Sequence, residues 1–213
     1  MQIKFEKVLP FPIRELPYQQ SQIWDKDIAF DSSTKYLVKA PSGTGKTTFL
    51  SIIYGIRRDY DGTAKLDGID IRKINSAHTK EIRRTKLSIV FQGLKLFEEL
   101  TSYENIEIKN KLTNYFPKSK IEEFAERLGV SVLLNRKADI LSFGQRQRLA
   151  VIRSLCQPFD FVLLDEPFSH LNEANSKLCL DLISEECTRR GSGFILTTLG
   201  SDYGGNYDAV LGS

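Results

Sequence analysis

Tyr36-Leu37-Val38-Lys39-Ala40-Pro41-Ser42-Gly43-Thr44-Gly45-Lys46-Thr47-Thr48 is the stretch that decides how this chain is organised. Its apolar start predicts a short strand, and the run 49–53 that follows has helical character. A phosphate-binding loop between a strand and a helix requires Gly, four residues and then Gly-Lys-Ser/Thr. Segment 40–47 meets this pattern except at its first position, where Ala40 stands.

The composition of this loop suits a polyphosphate. Gly43 and Gly45 allow backbone angles that other residues avoid, so successive N–H groups can curl around an anion. The positive N-terminal end of the following helix adds to the attraction. We expect Lys46 to reach the outer phosphates and the Thr47 hydroxyl to ligate Mg²⁺. The residues expected to contact the phosphates are Ala40, Pro41, Ser42, Gly43, Thr44, Gly45, Lys46, Thr47 and Thr48.

Length, charge and cysteine content narrow the class of protein. A chain of 213 residues is long enough for one domain with a substantial core. A net charge of +3 is too small to indicate nucleic-acid binding. The three cysteines, Cys156, Cys179 and Cys187, lack metal-ligand spacing, and no signal-peptide core is present. We therefore expect the protein to reside in a reducing cytosol. If it works at a membrane, we expect a separate protein to hold it there.

Apolar patterning predicts alternating strands and helices. We expect strands near 3–8, 21–24, 28–30, 36–38, 64–66, 87–91, 161–164, 194–198 and 207–211. We expect helices over 49–53, 76–86, 143–158 and 173–190, and a further helix with a Ser119–Glu122 capping box. The pattern indicates an α/β fold with a mainly parallel sheet, a strand-rich N-terminal part and a helical insertion at about 95–155.

Polar residues follow two of the predicted strands. Asp165 ends a continuous apolar run, so its carboxylate can hold Mg²⁺ opposite Thr47. Glu166 follows at once and is placed to orient or deprotonate a water molecule that attacks a γ-phosphate. Gln92 ends the strand at 87–91, and its amide can bind metal-bound or attacking water. The alternative is that these residues only terminate strands.

A second group of residues, Leu141-Ser142-Phe143-Gly144-Gln145, precedes an arginine-rich helix start. A serine hydroxyl, a glycine and free N–H groups at a helix N-terminus can bind an anion. Because the loop at 40–48 already forms a complete phosphate site, a second site indicates that two chains share each nucleotide. The alternative is an ordinary capped helix.

These motifs together resemble the nucleotide-binding subunit of ATP-binding cassette (ABC) transporters. The resemblance covers essentially the whole chain, with the motifs in the family's order and spacing. Residues 40–47 are similar to its Walker A motif, Gln92 to its Q-loop and 141–145 to its signature Leu-Ser-Gly-Gly-Gln. Residues 161–166 are similar to Walker B with its catalytic glutamate, and 169–172 to the D-loop. The short format resembles lipoprotein-releasing and macrolide-export ATPases.

The resemblance implies a P-loop NTPase fold with an antiparallel N-terminal β subdomain and an inserted helical subdomain, all within one domain, 1–213. It implies two cassettes packed head to tail around ATP and Mg²⁺, attached to a membrane permease at the inner face of the cell membrane, with no nucleic acid. Ser142, Gly144 and Gln145 of one chain would face the ATP of the other. The family stacks adenine on an aromatic side chain, for which Tyr18 is the best-spaced residue and Trp24 the alternative.

The sequence departs from the family pattern at several motif positions. Phe143 replaces a signature glycine, and Asn172 and His170 replace the D-loop aspartate and alanine. Thr198 stands where the family has its switch histidine, and its hydroxyl can still bind phosphate over a shorter reach. Since Glu166 is present, we expect hydrolysis, with Thr198 and Lys46 assisting, at a reduced rate. Two readings fit His170: it is an exposed loop histidine, or it partly substitutes for the switch histidine.

Three functions fit the sequence. The first is an ATPase subunit that drives a transporter. The second is a soluble ABC ATPase without a transport role, against which the single cassette and the short Walker A to signature spacing both count. The third is a regulatory subunit that binds ATP and scarcely hydrolyses it, as Phe143 and Thr198 would permit.

Overall fold

The computed structural model describes residues 1–212 and contains two β-sheets. The N-terminal sheet is antiparallel, with the strand order β2-β1-β4-β5. Its strands are β1 (Gln2–Pro10), β2 (Asp27–Asp31), β4 (Tyr60–Leu66) and β5 (Ile69–Asp70). β1 buries Ile3 and Phe5 as the alternating pattern predicts, and a register shift between Glu6 and Leu9 brings Val8 into the same core.

The second sheet is parallel and has the strand order β6-β7-β8-β3-β9. Its strands are β3 (Lys35–Lys39), β6 (Leu87–Val90), β7 (Phe161–Asp165), β8 (Gly193–Thr198) and β9 (Ala209–Gly212). Because all the strands run in one direction, the residues that follow β3, β6, β7 and β8 meet at the same edge. This edge carries the loop at 40–48.

Helices connect and cover the parallel sheet. They are α1 (Lys46–Ile53), α2 (Ser76–Thr85), α3 (Ser102–Asn110), α4 (Lys118–Arg127), α5 (Phe143–Leu155) and α6 (Glu173–Arg190). Three 3₁₀ turns lie at Phe11–Ile13, Ile71–Lys73 and Ser131–Leu133. The segment between β6 and β7 therefore contains α3, α4 and α5 and no strand longer than an isolated bridge among the described residues.

The parallel sheet is buried on both faces, as continuous apolar strands require. Val162 and Leu164 of β7 pack in the cluster that includes α5 and α6. Phe161 and Leu163 point the other way, into the cluster that includes α1 and the antiparallel sheet. This alternation fixes the position of Asp165 at the end of β7, and with it the chemistry of the edge.

The predicted α/β architecture, with a parallel sheet, a strand-rich N-terminal part and a helical insertion, is confirmed. Two local predictions are wrong. Residues 21–24 form a turn, because the Ser21 hydroxyl accepts hydrogen bonds from the N–H groups of Ile23 and Trp24. Ser119 caps no helix, because α4 already begins at Lys118 and its N-cap residue is Pro117. Capping boxes occur instead at the starts of α3 and α5.

Candidate functional site

The loop between β3 and α1 has the backbone of an anion cradle. Gly43 and Gly45 have φ angles of 82° and 102°, which side chains larger than hydrogen rarely adopt. A Cβ atom on Gly45 would lie 2.8 Å from Ile13 Cδ1 and 3.0 Å from Trp24 Cζ2. Gly45 is thus required both for its conformation and for the close approach of the N-terminal segment.

Trp24 packs between this loop and α1. Its side chain is 1% exposed, packs against Phe49 of α1 with ring centroids 6.2 Å apart, and donates a hydrogen bond from Nε1 to Thr44 O at 3.1 Å. The ring borders the cavity beside the loop, but at 1% exposure and packed against Phe5 and Phe49 it offers no free face for adenine. The suggestion that Trp24 stacks on adenine is therefore wrong, because the indole belongs to the core beneath the loop.

Tyr18 lies beside the same loop. It is half-buried and lines a cavity of about 280 Å³ together with Leu16, Pro17, Trp24 and residues 42–44. This position agrees with an adenine-contacting role, which stays a prediction. Sequence reasoning missed the apolar wall that Ile13 and Leu16 add to this side of the loop. The prolines at 10, 12 and 17 signalled an irregular segment there but not its packing.

Lys46 is the most buried lysine side chain of the loop region, with 4% exposure. Its Nζ atom donates hydrogen bonds to Ala40 O at 2.9 Å and Pro41 O at 2.7 Å. It also lies 3.1 Å from Glu166 Oε1. The ammonium is therefore held across the loop between two carbonyl groups and one carboxylate.

A cavity of about 240 Å³ opens between the loop and the ends of β6 and β7. It brings together most of the phosphate-site and catalytic residues that the sequence predicted within one chain. Its lining contains Pro12, Ile13, Leu16, Ser42, Gly43, Gly45, Lys46, Thr47, Thr48, Gln92 and Glu166. No residue of 142–145 is part of this lining. A phosphate chain bound here would contact the loop, Gln92 and Glu166 together.

Oxygen atoms that suit Mg²⁺ lie close together beside this cavity: Thr47 and Gln92 line it, and Asp165 is hydrogen-bonded to Thr47. Thr47 Oγ1 donates a hydrogen bond to Gln92 Oε1 at 3.5 Å. Asp165 is 2% exposed, and its Oδ1 accepts from Thr197 Oγ1 at 3.2 Å. Burial raises the pKa of Asp165, against hydrogen bonds from Thr47 and Thr197 that lower it. A nearly buried carboxylate without an ion pair to any described residue fits a cation held beside it.

The described residues contain no group of three or more His, Cys, Asp or Glu side chains that could hold a metal ion by themselves. A hydroxyl, an amide oxygen and one carboxylate form an incomplete set of hard ligands, which is what Mg²⁺ uses when substrate phosphates supply the rest. Thr47, Gln92 and Asp165 thus suit a Mg²⁺ ion that is also bound by the phosphates of the substrate. They do not form a complete site for the ion by themselves.

The residues at 142–145 begin α5. Ser142 Oγ accepts from Gln145 N–H at 3.3 Å, and Gln145 Oε1 accepts from Ser142 N–H at 2.9 Å. A Cβ atom on Gly144 would lie 3.1 Å from Leu171 Cδ2 and 3.2 Å from His170 O. The helix start is therefore packed tightly against the loop that follows β7, and a larger residue at 144 would require Leu171 or His170 to move by a few tenths of an ångström.

With this geometry established, comparison with known proteins assigns the family. The family model described as ABC transporter matches residues 27–169, more than half of the chain. The chain belongs to the ABC transporter family. Among solved structures, the dimeric structure of MJ0796, a bacterial ABC transporter cassette, has a TM-score of 0.83 at 22% identity and covers 99% of this chain and 94% of that one. This similarity confirms the predicted ABC ATPase fold.

Curated ABC relatives align with most of the chain. YvrO from Bacillus subtilis is an uncharacterised ABC transporter ATP-binding protein, 35% identical over 177 residues, or 82% of this chain and 77% of the relative. The lipoprotein-releasing system ATP-binding protein LolD of Legionella pneumophila strain Paris is 30% identical, with coverages of 87% and 83%. The phosphonates import ATP-binding protein PhnC 2 of Synechococcus is 34% identical, and the chain spans 62% of its length. Two further relatives are spanned over 48% of their length.

At the ABC switch position, Thr198 is turned away from the phosphate cavity. Its side chain is 1% exposed and does not line the cavity. Thr198 Oγ1 accepts from Gly200 N–H and lies 3.3 Å from Tyr203 Oη. The assignment of Thr198 as a catalytic residue is therefore corrected, because its hydroxyl is engaged with the loop that follows β8.

Within residues 1–212, no helix combines the length and apolar character that crossing a membrane requires.

Two other departures from the ABC motif pattern contact each other. The Phe143 and His170 rings have centroids 4.3 Å apart at an interplanar angle of 53°. Asn172 keeps one role that an aspartate would have, because its Oδ1 accepts from Asn175 N–H at 2.9 Å and caps α6. The changes at Phe143 and His170 thus form one altered surface, whereas the change at Asn172 preserves the local structure.

Proposed function

We propose that the chain is the ATP-binding and ATP-hydrolysing subunit of an ABC transporter. In this proposal two cassettes enclose ATP between them and drive a membrane permease from the cytoplasmic face. One observation carries it. Lys46, Gln92 and Glu166 share one cavity with the phosphate loop, while Ser142, Gly144 and Gln145 lie outside that cavity. A half-site of this kind is completed when a second chain supplies the signature residues.

Each residue of the cavity has a role in this proposal. The N–H groups of 43–48 and the α1 N-terminus bind the phosphates, and Lys46 neutralises their charge. Glu166 accepts a proton from, or orients, the attacking water, and Gln92 helps to position it. Thr47, Gln92 and Asp165 would hold Mg²⁺, which supplies charge neutralisation to the phosphates when bound.

The comparisons support this proposal at the level of the family. The second matched MJ0796 structure is described as a post-hydrolysis state bound to ADP and Pi and as a dimer. Its identity to this chain is 23%, at a TM-score of 0.78, so it informs the fold. LolD and PhnC 2 are named as ATP-binding proteins of a lipoprotein-releasing and a phosphonate-import system, respectively.

Steady-state phosphate release tests the proposal. Purified wild-type protein with ATP and Mg²⁺ is compared with Glu166→Gln, which keeps the shape of the site and removes the base. We expect hydrolysis by wild type and a loss of about 100-fold or more in the variant. Equal rates would contradict the ATPase assignment. With ATP, Glu166→Gln should also accumulate a dimer in size-exclusion chromatography.

A second candidate function is a regulatory cassette that binds ATP with little turnover. The burial of Thr198 favours it, because no imidazole or free hydroxyl stands at the switch position of the cavity. This function predicts tight ATP binding by wild type together with phosphate release equal to that of Glu166→Gln. Co-purification with a permease encoded beside the gene would support transport under either function.

A further inference from the structure

His170 is fixed in place although its side chain is exposed. Its ring packs on Phe143 at 4.3 Å, and its backbone N–H donates to Gln147 Oε1 at 3.3 Å. Ser169 Oγ lies 2.9 Å from His170 Nδ1. We refer to Phe143, Ser169 and His170 as the aromatic shelf.

The hydrogen bonds of the shelf define which ring nitrogen is free. Gln147 Nε2 donates to Ser169 Oγ at 3.3 Å, so the Ser169 hydroxyl proton is available for His170 Nδ1. When Nδ1 accepts this proton, Nε2 carries the ring N–H. No hydrogen bond from Nε2 to any described residue is present. In this tautomer, and in the protonated imidazolium, the shelf presents Nε2–H as a hydrogen-bond donor at the surface.

The shelf borders the signature residues directly. His170 O lies 3.2 Å from the position of a Cβ on Gly144, so the two backbones are in contact. Arg146 adds positive charge, with its guanidinium carbon 5.6 Å from the Phe143 ring centroid. Its Nη1 atom also lies 3.5 Å from Glu98 Oε1, which offsets part of that charge. A donor and a cation beside 142–145 suit an anion that approaches this surface from outside the chain.

The cavity of the same chain contains no histidine. Its lining residues include Lys46, Gln92 and Glu166, and Thr198 is turned away from it. An imidazole can therefore reach a bound triphosphate only from another chain. Of the two histidines, His78 lies on α2 and is exposed, outside the motif residues.

We propose that His170 hydrogen-bonds through Nε2 to the γ-phosphate of ATP bound on a second copy of this chain, with Phe143 as its positioning residue. This proposal rests on the proposed function, because it requires that the signature surface meets the partner's ATP. It assigns to the D-loop position a contact that Thr198 cannot make from within its own chain.

Substitution of His170 tests the contact. We expect His170→Ala to lower kcat for phosphate release about 10- to 100-fold, as the loss of a hydrogen bond to a charged group predicts, with unchanged ATP affinity of the isolated chain. His170→Gln should restore part of the rate, because its amide can donate at a similar reach. His78→Ala is the matched control and should keep the wild-type rate. A wild-type rate in His170→Ala would overturn the proposal.

Mixed dimers show from which chain the histidine acts. Two differently tagged chains are co-purified, one of them carrying Lys46→Ala, so that only the Lys46 chain holds ATP productively. His170→Ala placed on the Lys46→Ala chain should lower the remaining rate about tenfold or more. The same change placed on the Lys46 chain should leave it unaltered. The opposite pattern, or equal losses, would overturn a contact made across the dimer.

The role of Phe143 is tested in the same assay. Phe143→Gly should lower the rate as His170→Ala does, and Phe143→Tyr should keep it. Adding Phe143→Gly to His170→Ala should cause no further loss, since residues that act as a unit are not additive. Additive losses would overturn the positioning role. Failure of the proposed function would look different, because wild type and Glu166→Gln would then release phosphate equally.

Discussion

Lys46 Nζ lies 3.1 Å from Glu166 Oε1, so the lysine of the phosphate loop and the carboxylate that follows β7 neutralise each other in one cavity. Their side chains are 4% and 14% exposed, which means that this pair is shielded from solvent. Glu166 has a positive φ of 45°, an unusual conformation for a residue with a side chain. The backbone at the end of β7 thus points the Glu166 side chain into the cavity. A phosphate chain bound there would compete with Glu166 for Lys46.

Lys46→Ala should abolish tight nucleotide binding. The change removes the cation that faces the phosphates and leaves the partly buried Glu166 carboxylate unpaired, which adds repulsion towards an anion. We expect the dissociation constant for Mg-ATP to rise about 100-fold or more, measured by isothermal titration calorimetry.

Lys80→Ala is the matched control for this measurement, since Lys80 is exposed on α2 and forms no ion pair with a described residue. Its affinity should equal that of wild type. Retained affinity in Lys46→Ala would show that ATP binds elsewhere.

Trp24→Phe should weaken nucleotide binding more than it weakens the fold. Phenylalanine fills most of the space but cannot donate to Thr44 O, so the loop loses one tether worth about 1 kcal/mol. Trp24→Ala should destabilise the protein by about 3–5 kcal/mol through the cavity it creates. Urea unfolding and ATP titration of both variants check these effects. An unchanged ATP affinity in Trp24→Phe would contradict the supporting role of the indole.

Asp165→Asn should raise the stability of the nucleotide-free protein at pH 7 while it lowers hydrolysis. Burial raises the pKa of Asp165, so the folded state favours the protonated carboxyl more than the unfolded state does. This contribution is fully present below the ordinary value of 3.8 and is lost as the pH rises through the higher folded-state pKa. The thermal midpoint of the variant should exceed that of wild type at pH 7, and the gain should shrink towards pH 4.

Asp70→Asn provides a control of opposite sign. Burial raises the pKa of Asp70, but the backbone N–H and the guanidinium of Arg72 lower it more. The ionised form therefore stabilises the folded state above pH 3.8, and that stability is lost as the pH falls through the depressed pKa. Asp70→Asn should lower the thermal midpoint at pH 7. A change of the thermal midpoint in the same direction for Asp165→Asn and Asp70→Asn would contradict the environments assigned to these two carboxylates.

The sequence predicts the motifs of this site well, because each lies where a strand ends and backbone direction alone brings it to the common edge. Asp165, Glu166 and Gln92 are examples. It predicts side-chain contacts between distant segments poorly. Trp24 and Tyr18 look equivalent as aromatic residues in the sequence, and both border the same cavity in the structure. Only tertiary packing buries the Trp24 ring to 1% exposure and leaves Tyr18 half-buried. The contact of Phe143 with His170 likewise joins two separate motifs.

Thr198→Val should leave phosphate release within about twofold of wild type, although this position belongs to a motif. The Thr198 hydroxyl is bonded to Gly200 N–H and Tyr203 Oη, away from the cavity, so its loss removes no group that touches the phosphates. Valine keeps the shape, and exposed Gly200 N–H can bind water, so stability should fall by about 1 kcal/mol or less. Parallel assays of phosphate release and urea unfolding check both values. A tenfold lower rate at unchanged stability would show that the hydroxyl turns towards ATP when the two chains close.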